Sequence, residues 1–495
     1  MSDVAIRRMP DALRVRASHD PDRVAHDDTS SVMTFAAWDA GASAVGGGLA
    51  AAGVEPGDRV LLPITNRHAV AMAVAYAGAQ RAGAICVPIN TRWSRSEVQE
   101  FVDLVEPRWA ITDAPEMLDG CSLESMWTVD AMPDDARALP DQATLAAGSD
   151  ADADIIPTSG TTGRPKGVVT SHAEIAASMG DGRGTSPVQT ILHAVPFTGY
   201  GGLHGIMLNP LRTGTTVVTQ PAFDVSDFLR LAADRRVDAL QGVPAMLRLL
   251  LDAPDLASHD LSSVRWIFTG TAPLPPDTVR RAGEAWPGAR IVNLYGSTEA
   301  GISGGTQLAG KSSLRKPGSV GRPAAGTSVE VRGPDGGVVG PGEEGEVWIK
   351  TSAPPRRYWR DPEATAATWS DGWLRTGDLG FLDDDGDLTI SGRLKDVIIR
   401  GGYNIAPVEI ENAMHDHPAV EEAAVAGVPH DVLGEDVVGF VVLRDATLGV
   451  AELQDFLRTR LASNKVPRRI VVVDELPRNA MGKVVKSQLP IGAAS

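Results

Sequence analysis

A run of ten residues at positions 158–167 constrains the fold of this chain more than any other segment. It reads Thr-Ser-Gly-Thr-Thr-Gly-Arg-Pro-Lys-Gly. Glycine lets backbone N–H groups approach an anion closely, and hydroxyls and a lysine add donors and charge, so the run predicts a phosphate-binding loop. It is not a Walker A loop, because the order is Lys-Gly and Pro165 removes a donor. Taken alone, such a run is also typical of a flexible connector, so its assignment depends on the rest of the chain.

The size and charge of the chain narrow its class. With 495 residues it exceeds the length at which one core stops growing, so we expect two or more domains. A net charge of −17 argues against nucleic acid or an anionic membrane as the main partner. Cys86 and Cys121 are the only cysteines, which fits a reducing compartment, and no apolar stretch has signal or transmembrane character. The sequence therefore predicts a cytoplasmic protein without an integral membrane segment.

Alternating apolar and helix-forming segments predict an α/β fold. A strand at 59–64, a helix at 69–82 and a buried strand at 84–87 follow one another, and the same alternation returns after residue 215. Strands that alternate with helices imply parallel sheets with helices on their faces. Near residue 325 the pattern changes to short strands joined by Gly, Asp and Pro turns, and after residue 392 it returns to the alternating style.

The predicted architecture therefore has two domains. Residues 1–392 form a large N-terminal domain of parallel and mixed sheets with flanking helices and a small β-rich subdomain. Residues 393–495 form a small mobile α+β C-terminal domain, with helices at 406–415 and 450–462. The acidic run at 383–387 lacks the spacing and the closing glutamate of a calcium loop, so it predicts a hairpin turn.

Five further motifs accompany the loop in a fixed order. They are Asn293-Leu294-Tyr295-Gly296-Ser297-Thr298-Glu299, Leu374-Arg375-Thr376-Gly377-Asp378, Gly392-Arg393-Leu394-Lys395-Asp396, Gly401-Gly402-Tyr403-Asn404-Ile405 and Pro477-Arg478-Asn479-Ala480-Met481-Gly482-Lys483. Together with the loop, in this order and spacing, they resemble the adenylate-forming superfamily of acyl-CoA synthetases, peptide-synthetase adenylation domains and luciferases. The stretch 357–365 resembles the acyl-CoA synthetase version, so the chain is similar to the acid:CoA ligase branch.

The resemblance implies an enzyme that joins a carboxylic acid to ATP as acyl-AMP and then transfers the acyl group to CoA. ATP, Mg²⁺ and coenzyme A are the implied cofactors and small-molecule partners. Carboxylate and triphosphate are both anionic, so charge neutralisation and positioning make up most of the catalytic task. The implied catalytic residues are Thr298 at the α-phosphate, Glu299 as the Mg²⁺ ligand, and Lys483, which bridges the acid carboxylate and the α-phosphate.

The remaining motif residues are implied to bind nucleotide or CoA. Lys166 and neighbouring hydroxyls cradle the β- and γ-phosphates, Asp378 accepts from the ribose hydroxyls, and Arg393 contacts ribose or phosphate. Lys395 is the implied hinge of the small domain, whose swing brings the loop at 401–402 to the pantetheine tunnel. The full set of expected cofactor-binding residues is Thr158, Ser159, Gly160, Thr161, Thr162, Gly163, Lys166, Gly270, Thr271, Ala272, Asn293, Leu294, Tyr295, Gly296, Ser297, Asp378, Arg393, Lys395, Gly401, Gly402 and Tyr403.

Three segments line the acid pocket in the superfamily, and here they are 197–204, 268–272 and the region around Tyr295. The expected pocket residues are Phe197, Thr198, Gly199, Tyr200, Gly202 and His204. Amino-acid-activating relatives place an aspartate where this chain has Thr198, with no carboxylate nearby in the sequence. Malonate activation needs an arginine near Tyr295, which the neighbouring residues do not supply. The resemblance and these departures predict a hydrophobic monocarboxylic acid, whether aromatic, alicyclic, terpenoid or fatty.

Several points stay open at the level of sequence. His193 is expected to be structural, whereas His204 has equal claims to a structural and a functional role. The pocket glycines either make room for a bulky acid or are needed only for the conformation of the backbone. Arg356-Arg357 replaces the small-residue context of relatives without removing a catalytic group.

Other activities compete with the ligase prediction. The first alternative is an acyl-AMP ligase that serves a carrier protein, or an enzyme of one half-reaction. Luciferase-type oxidation is disfavoured by an aromatic content of 5%, and a non-catalytic nucleotide sensor is disfavoured because the implied catalytic groups are present. The sequence determines neither the acid nor the oligomeric state, and leaves a homodimer open.

Overall fold

The computed structural model describes residues 6–134, 150–159, 165–301, 316, 319–323, 326–445, 447–478 and 483–491. The helices are α1 (Met9–His19), α2 (Phe35–Ala51), α3 (Ala69–Arg81), α4 (Arg95–Val105), α5 (His172–Met179), α6 (Asn209–Thr213), α7 (Val225–Asp234), α8 (Pro244–Leu251), α9 (Pro276–Ala285), α10 (Pro362–Thr368), α11 (Pro407–His415) and α12 (Val450–Arg458). A π-helical segment spans Gly201–Met207. Among the described helices, none combines the length and the apolar character needed to cross a bilayer.

The strands alternate with these helices along the chain. They are β1 (Val24–Asp27), β2 (Val32–Thr34), β3 (Arg59–Leu62), β4 (Ile85–Pro88), β5 (Trp109–Thr112), β6 (Ser125–Thr128), β7 (Asp152–Ser159), β8 (Pro165–Ser171), β9 (Thr190–His193), β10 (Thr216–Thr219), β11 (Ala239–Gly242), β12 (Trp266–Gly270), β13 (Arg290–Leu294), β14 (Ser319–Gly321), β15 (Thr327–Arg332), β16 (Gly345–Thr351), β17 (Arg357–Tyr358), β18 (Trp369–Ser370), β19 (Trp373–Leu382), β20 (Leu388–Arg393), β21 (Ile398–Arg400), β22 (Tyr403–Ile405), β23 (Val420–His430), β24 (Gly434–Leu443) and β25 (Arg469–Val472).

Two seven-stranded sheets make up most of the N-terminal part. The first has the order β13-β12-β11-β9-β10-β1-β2 and is parallel except for β2. The second has the order β17-β8-β7-β4-β3-β5-β6, in which β8 and β17 are antiparallel additions to a parallel set. The predicted α/β class with parallel and mixed sheets is confirmed. The antiparallel pair β7–β8 arises because a short loop joins the two strands, and a short loop cannot connect parallel neighbours.

One apolar core joins the two large sheets. It contains Val217 of the first sheet, Val60 of the second sheet, and the fully buried rings of Trp38 in α2 and Tyr76 in α3. Many alanines and glycines in α2 and α3 let these helices lie close together, since small side chains permit a short distance between helix axes. The helix predicted at 69–82 is thus confirmed as α3 and provides a central part of the core.

Helix α5 begins directly after β8. The Ser171 Oγ accepts a hydrogen bond from the Glu174 N–H (3.2 Å), which satisfies one of the free amides of the first turn. Ile175 and Met179 are buried with the intervening Ala176, so one face of the helix packs inward. This cap fixes Glu174 in the first turn of α5, directly after β8.

The small β-rich subdomain is a six-stranded antiparallel sheet of β14, β20, β19, β16 and β15, with β18 paired to β19. Between β19 and β20 the Asp383 N–H donates to the Asp387 carbonyl (3.0 Å), so the predicted hairpin turn is confirmed. The Lys316 Nζ bridges the carboxylates of Asp383 (2.7 Å), Asp385 (2.6 Å) and Asp387 (2.7 Å). The ammonium group therefore offsets the mutual repulsion of these three carboxylates.

The C-terminal domain has a sheet and a core of its own. The sheet has the order β22-β21-β24-β23, and β25 pairs with β24 in parallel. Met414 of α11 and Leu457 of α12 pack on Val425 and Val441 of the two long strands. The predicted α+β character is confirmed. The helix predicted at 450–462 ends earlier, at Arg458, because the chain turns after Thr459.

The closest approach of α2 and α3 provides a stability test. A Cβ at Gly78 would lie 2.6 Å from the Val45 Cβ, whereas a Cβ at Gly41, in the same helix pair, would meet only the Val74 methyl at 3.2 Å. Overpacking costs about 1–3 kcal/mol, against a gain of about 0.5–1 kcal/mol from replacing a helical glycine by alanine. We expect Gly78→Ala to lower the melting temperature in scanning calorimetry and Gly41→Ala to leave it nearly unchanged. Equal melting temperatures for the two variants would contradict this account.

Candidate active site

The described part of the predicted phosphate loop is the base of an antiparallel hairpin. Thr158 in β7 lies opposite Lys166 in β8, and Ser159 lies opposite Pro165. The residues between the strands fall outside the described part of the chain, namely Gly160, Thr161, Thr162 and Gly163. The short strand β17 pairs with β8 and brings the Tyr358 ring to 4.8 Å from the Lys166 Nζ. The predicted phosphate-binding lysine is therefore held beside an aromatic face.

Tyr358 also holds the predicted metal ligand. Its hydroxyl donates to the Glu299 Oε1 at 2.7 Å. Burial raises the pKa of Tyr358, and the negative charge of Glu299 raises it further, so the phenol keeps its proton and remains a donor. One ring thus contacts both Lys166 and Glu299, which come from separate motifs.

The predicted ribose-binding carboxylate, Asp378, lies where two strands and a loop meet. Antiparallel pairing of β19 and β20 places Asp378 opposite Arg393, whose Nε is 2.9 Å from the Asp378 Oδ1. The Tyr295 hydroxyl donates to the other carboxylate oxygen at 2.6 Å. Burial raises the pKa of Asp378, while Arg393, Tyr295 and Lys483 oppose the rise. Three motifs therefore converge on this carboxylate.

Lys483 brings the last motif to the same place. The residue is open to solvent, yet the protein atoms around it desolvate the ammonium group and lower the pKa of Lys483. Arg393 and Lys395 lower the pKa further, whereas Asp378 and Glu299 raise it. The Lys483 ammonium group thus interacts electrostatically with both carboxylates. Lys166, Glu299, Asp378, Arg393 and Lys483 are called the charged cluster below.

The charged cluster has the chemistry needed to bind a metal-bound polyanion. Lys166, Arg393 and Lys483 supply positive charge within a chain whose net charge is −17. The Glu299 carboxylate is a hard oxygen donor of the kind Mg²⁺ prefers, and it lies beside the lysine of a phosphate loop. Asp378 can accept hydrogen bonds from hydroxyl groups of a sugar.

Comparison with known families identifies the fold around this cluster. A model of the AMP-binding enzyme family matches residues 13–359, and a model of the AMP-binding enzyme C-terminal domain matches residues 409–483. The chain belongs to the AMP-binding enzyme family. The first range contains Lys166 and Glu299 of the charged cluster, and the second contains Lys483.

Several relatives of this AMP-binding enzyme are acid:CoA ligases. A long-chain-fatty-acid–CoA ligase of Mycobacterium tuberculosis is 34% identical over 493 residues, which cover 96% of this chain and 97% of the relative. A feruloyl-CoA synthase of an Amycolatopsis species is 35% identical and covers 96% of each chain. The structure of o-succinylbenzoate coenzyme A synthetase from Bacillus subtilis in complex with ATP and magnesium matches with a TM-score of 0.85 and 30% identity, over 97% of this chain and 98% of that chain. The enzyme is therefore an AMP-forming acyl-CoA ligase of the adenylate-forming superfamily.

In this enzyme, the predicted acid segment contains a stacked ring pair. The Tyr200 and His204 rings are 4.5 Å apart and inclined by 16°. The His204 Nε2 lies 2.7 Å from the Asp154 Oδ2, and that buried carboxylate also accepts from the Tyr76 hydroxyl (3.1 Å) and the Gln80 amide (3.2 Å). His204 thus takes part in a buried polar network, and its place in the acid pocket stays a prediction.

Other residues of the acid segment are buried. Phe197 is fully buried against the His193 ring at 5.1 Å, and both His193 nitrogens are engaged, with Thr219 and with the Val195 N–H. Burial lowers the pKa of His193 to about 3, so His193 is neutral, as expected for a structural histidine. Thr198 is also buried, at 4% exposure.

The glycines of this segment differ in what surrounds them. A Cβ at Gly202 would lie 1.9 Å from the Pro196 carbonyl oxygen, whereas a Cβ at Gly201 would meet nothing within 4 Å. Gly202 is therefore required by close backbone packing. Gly199 precedes Tyr200, and its carbonyl accepts from the Leu203 N–H at 2.8 Å.

The ends of β12 and β13 bring several predicted nucleotide contacts together. Gly270 pairs with Leu294, and a Cβ at Gly270 would lie 2.4 Å from the Leu294 carbonyl oxygen. Thr271, followed by Ala272, has a φ of +69°, and the Asn293 amide lies 3.4 Å from the Ser319 carbonyl. After Gly296, the Ser297 Oγ accepts from the Ala300 N–H at 3.1 Å, which folds the Thr298–Glu299 segment into a tight turn.

The predicted CoA-side loop lies in the C-terminal domain, between β21 and β22. Gly401 and Gly402 both have positive φ, at +58° and +86°, and the Gly401 N–H donates to the Leu433 carbonyl at 2.8 Å. Tyr403 is 63% exposed. The described contacts of this loop thus lie within the C-terminal domain. The positive charge of Lys395, by contrast, lowers the pKa of Lys483.

Two charged residues near the acid segment were missed by the sequence analysis. Arg356 and Glu174 form an ion pair, and the Arg356 Nη2 lies 2.7 Å from the Tyr200 hydroxyl. The sequence analysis considered a carboxylate only near Thr198 in the sequence and an arginine only near Tyr295, whereas Glu174 and Arg356 reach Tyr200 from elsewhere in the chain. Glu174 and Arg356 are 182 positions apart, so local spacing could not reveal the pair. The unusual Arg356-Arg357 dipeptide was the one available signal.

Arg248 in α8 connects the N-terminal part to the C-terminal domain. Its guanidinium donates to the Glu421 carbonyl (2.6 Å) and lies 3.2 Å from the His415 Nδ1. Burial and the positive charge of Arg248 lower the pKa of His415 to about 3, so its ring stays neutral. Glu422 contacts both Arg248 and Arg478, and Arg478 belongs to the motif that carries Lys483. This bridge therefore holds the lysine-bearing domain on α8.

Removing the bridge tests its importance. Hydrogen bonds to charged groups contribute about 1.5–3 kcal/mol, so Arg248→Ala should weaken the contact and speed tryptic cleavage after Lys395 by about tenfold or more. Arg230→Ala is the matched control, because Arg230 on α7 is exposed and pairs only with Asp227 and Asp234 of its own helix in the described structure. Cleavage by trypsin is followed by mass spectrometry. Equal cleavage rates in the two variants would contradict a bridging role.

Proposed function

We propose that this enzyme uses ATP to activate a hydrophobic monocarboxylic acid as acyl-AMP and transfers the acyl group to CoA, with release of pyrophosphate and AMP. The observation that carries the proposal is the charged cluster, in which cations and carboxylates from five separate motifs meet. Its composition suits two anions, a triphosphate and a carboxylate, that must be brought together against their repulsion.

In the proposed first half-reaction, Lys166 neutralises the β- and γ-phosphates and Glu299 binds Mg²⁺. Bound Mg²⁺ supplies positive charge that stabilises the departing pyrophosphate. Asp378, oriented by Arg393 and Tyr295, accepts from ribose hydroxyls. Lys483 donates to the acid carboxylate and to the α-phosphate, and Thr298 contacts the α-phosphate. Oxygen of the carboxylate attacks the α-phosphorus while the bond to pyrophosphate breaks.

In the proposed second half-reaction, the thiol of CoA attacks the carbonyl of acyl-AMP and AMP leaves. Lys483 is no longer needed, so the C-terminal domain rotates about Lys395 and presents the loop of Gly401 and Gly402. Their positive φ values support this role, because glycine backbone can line a narrow channel without side chains. The Arg248 bridge belongs to the conformation used for adenylation.

A hydrophobic, singly charged acid is supported by charge balance at the acid segment. The guanidinium of Arg356 is offset by the carboxylate of Glu174, so this ion pair presents no net charge to a second ionic group of the substrate. Two relatives act on uncharged chains or rings, by their names as long-chain-fatty-acid–CoA ligase and feruloyl-CoA synthase. We therefore propose an aliphatic or aromatic acid of this kind.

The test is direct product analysis. Purified enzyme is incubated with ATP, Mg²⁺ and one of dodecanoate, hexadecanoate, ferulate or indole-3-acetate, with and without CoA, and products are identified by mass spectrometry. Acyl-CoA from one class of acid supports the proposal. Acyl-AMP that persists in the presence of CoA would instead indicate a carrier-dependent or single-step enzyme. No product from any acid would overturn the proposed substrate class.

Lys483→Ala separates the two half-reactions. Because Lys483 is proposed to act only in adenylation, we expect acid-dependent pyrophosphate–ATP exchange to fall by about 100-fold or more. Thioester formation from supplied acyl-AMP should stay close to that of the unmodified enzyme. Lys486→Ala is the control, since Lys486 lies in the same segment but pairs with Glu411 at 2.8 Å. Equal loss of both half-reactions in Lys483→Ala would remove the proposed role.

The pH dependence provides a second test of Lys483. An ordinary lysine has a pKa of about 10.4. The pKa of Lys483 is lowered, so its ammonium group loses its charge at a lower pH than that. The kcat/KM of pyrophosphate exchange reports groups of the free enzyme, so it should decline on the alkaline side below that pH. In Lys483→Arg the guanidinium stays charged, and the remaining activity should lose this decline. Persistence of the same alkaline decline in Lys483→Arg would assign it to another group.

A further inference from the structure

Arg356 is a buried arginine whose three guanidinium nitrogens all meet protein oxygens. Its side chain is 3% exposed. The Nε donates to the Glu174 Oε1 at 2.6 Å, the Nη1 donates to the Thr298 carbonyl, and the Nη2 donates to the Tyr200 hydroxyl at 2.7 Å. The guanidinium carbon also lies 4.2 Å from the centroid of the Tyr200 ring. A guanidinium committed in this way is unavailable to a substrate, so its effect must pass through its partners.

The partners of Arg356 come from three different parts of the site. Glu174 is in the first turn of α5, which follows the phosphate hairpin. Tyr200 begins the ring pair of the acid segment, and Thr298 precedes the proposed metal ligand. Arg356 is therefore a single side chain through which the acid segment and the Thr298–Glu299 turn are connected.

The same extended segment contacts the turn a second time. Alternate side chains of an extended chain point to the same side, and two residues after Arg356 the Tyr358 hydroxyl donates to Glu299. Arg357, between them, reaches the Asp152 carboxylate at 2.5 Å and has a side chain that is 48% exposed. Arg356 thus contacts Thr298 and Tyr358 contacts Glu299, the next residue of the same turn. Arg357 contacts Asp152 instead.

The backbone that follows Glu299 is shaped around the guanidinium. Gly301 has a φ of +75°, and a Cβ there would lie 2.6 Å from an Arg356 nitrogen and 3.0 Å from the Tyr200 hydroxyl. A side chain at this position would push the guanidinium away from Tyr200. The turn, the arginine and the tyrosine therefore pack as one unit.

We propose that Arg356 is a positioning residue for acid activation, which fixes Tyr200 of the acid segment relative to the Thr298–Glu299 turn. The inference rests on the proposed function, because it assigns acid binding to Tyr200 and α-phosphate and metal contacts to the turn. By holding both, Arg356 sets the separation between the bound acid and the α-phosphorus. A small change in that separation slows a reaction between two bound groups severely.

The kinetic test uses Arg356→Gln, Tyr200→Phe, the double variant, and Arg357→Gln as the matched control. The probes are the acids of the product panel that the enzyme activates, and the assay is pyrophosphate–ATP exchange. Arg356→Gln should raise the KM for the acid and lower kcat, with a loss of about 10–100-fold in kcat/KM for the acid. Tyr200→Phe should mainly raise the KM for the acid. The double variant should lose less than the product of the two single losses, because both substitutions break one link.

The proposal would be overturned if the loss of kcat/KM in the double variant equals the product of the two single losses. Equal losses of kcat/KM in Arg356→Gln and Arg357→Gln would overturn it as well. Arg356→Gln leaves the Glu174 carboxylate without its cation, so the combination Arg356→Gln/Glu174→Gln removes that charge while keeping the link broken. If this pair restores both the melting temperature and the activity, Arg356 is merely structural. If it restores the melting temperature alone, the positioning role stands.

A measurement without substrates separates this proposal from the proposed function. Hydrogen exchange of backbone amides should rise at residues 200–208 and at 296–301 together in Arg356→Gln, and at neither in Arg357→Gln. Unchanged exchange in Arg356→Gln would overturn the proposal even if the enzyme activates the acids. Coupled exchange with no turnover by the unmodified enzyme would instead contradict the proposed function.

Discussion

Asp378 makes the interaction on which the active site depends. Its buried carboxylate receives the Tyr295 hydroxyl from the end of the first large sheet and the Arg393 guanidinium from the small sheet, and it attracts Lys483 of the C-terminal domain. A carboxylate kept away from water is stable only when such partners compensate its lost hydration. The need to satisfy one buried charge therefore brings three parts of the chain, distant in sequence, to a common point.

Much of the fold could be predicted because several elements have a local signal of their own. The helix α3 and the strand β4 were expected within two residues, since their apolar runs are bounded by clear turns. The order of strands within the sheets and the π-helical segment Gly201–Met207 were not, because pairing partners and backbone register depend on packing between distant segments. The phosphate loop was recognised by composition, but its strands β7 and β8 were not.

The site was predicted to the extent that motif residues act individually. Lys166, Glu299, Asp378, Arg393 and Lys483 were named from their motifs, and the structure brings them together. The connections among them were not predicted, since Tyr358 and Arg356 act through contacts that span large distances along the chain. Sequence motifs identify groups that meet a ligand, whereas the side chains that orient these groups have no fixed spacing from them.

The network behind the Tyr200–His204 ring pair limits how this enzyme can acquire new substrates. Shortening His204 would widen the proposed acid pocket, yet it would also leave Asp154 as a buried charge with only Tyr76 and Gln80 for partners. Substitutions that change the substrate specificity are therefore expected at positions other than His204, in natural and engineered variants alike.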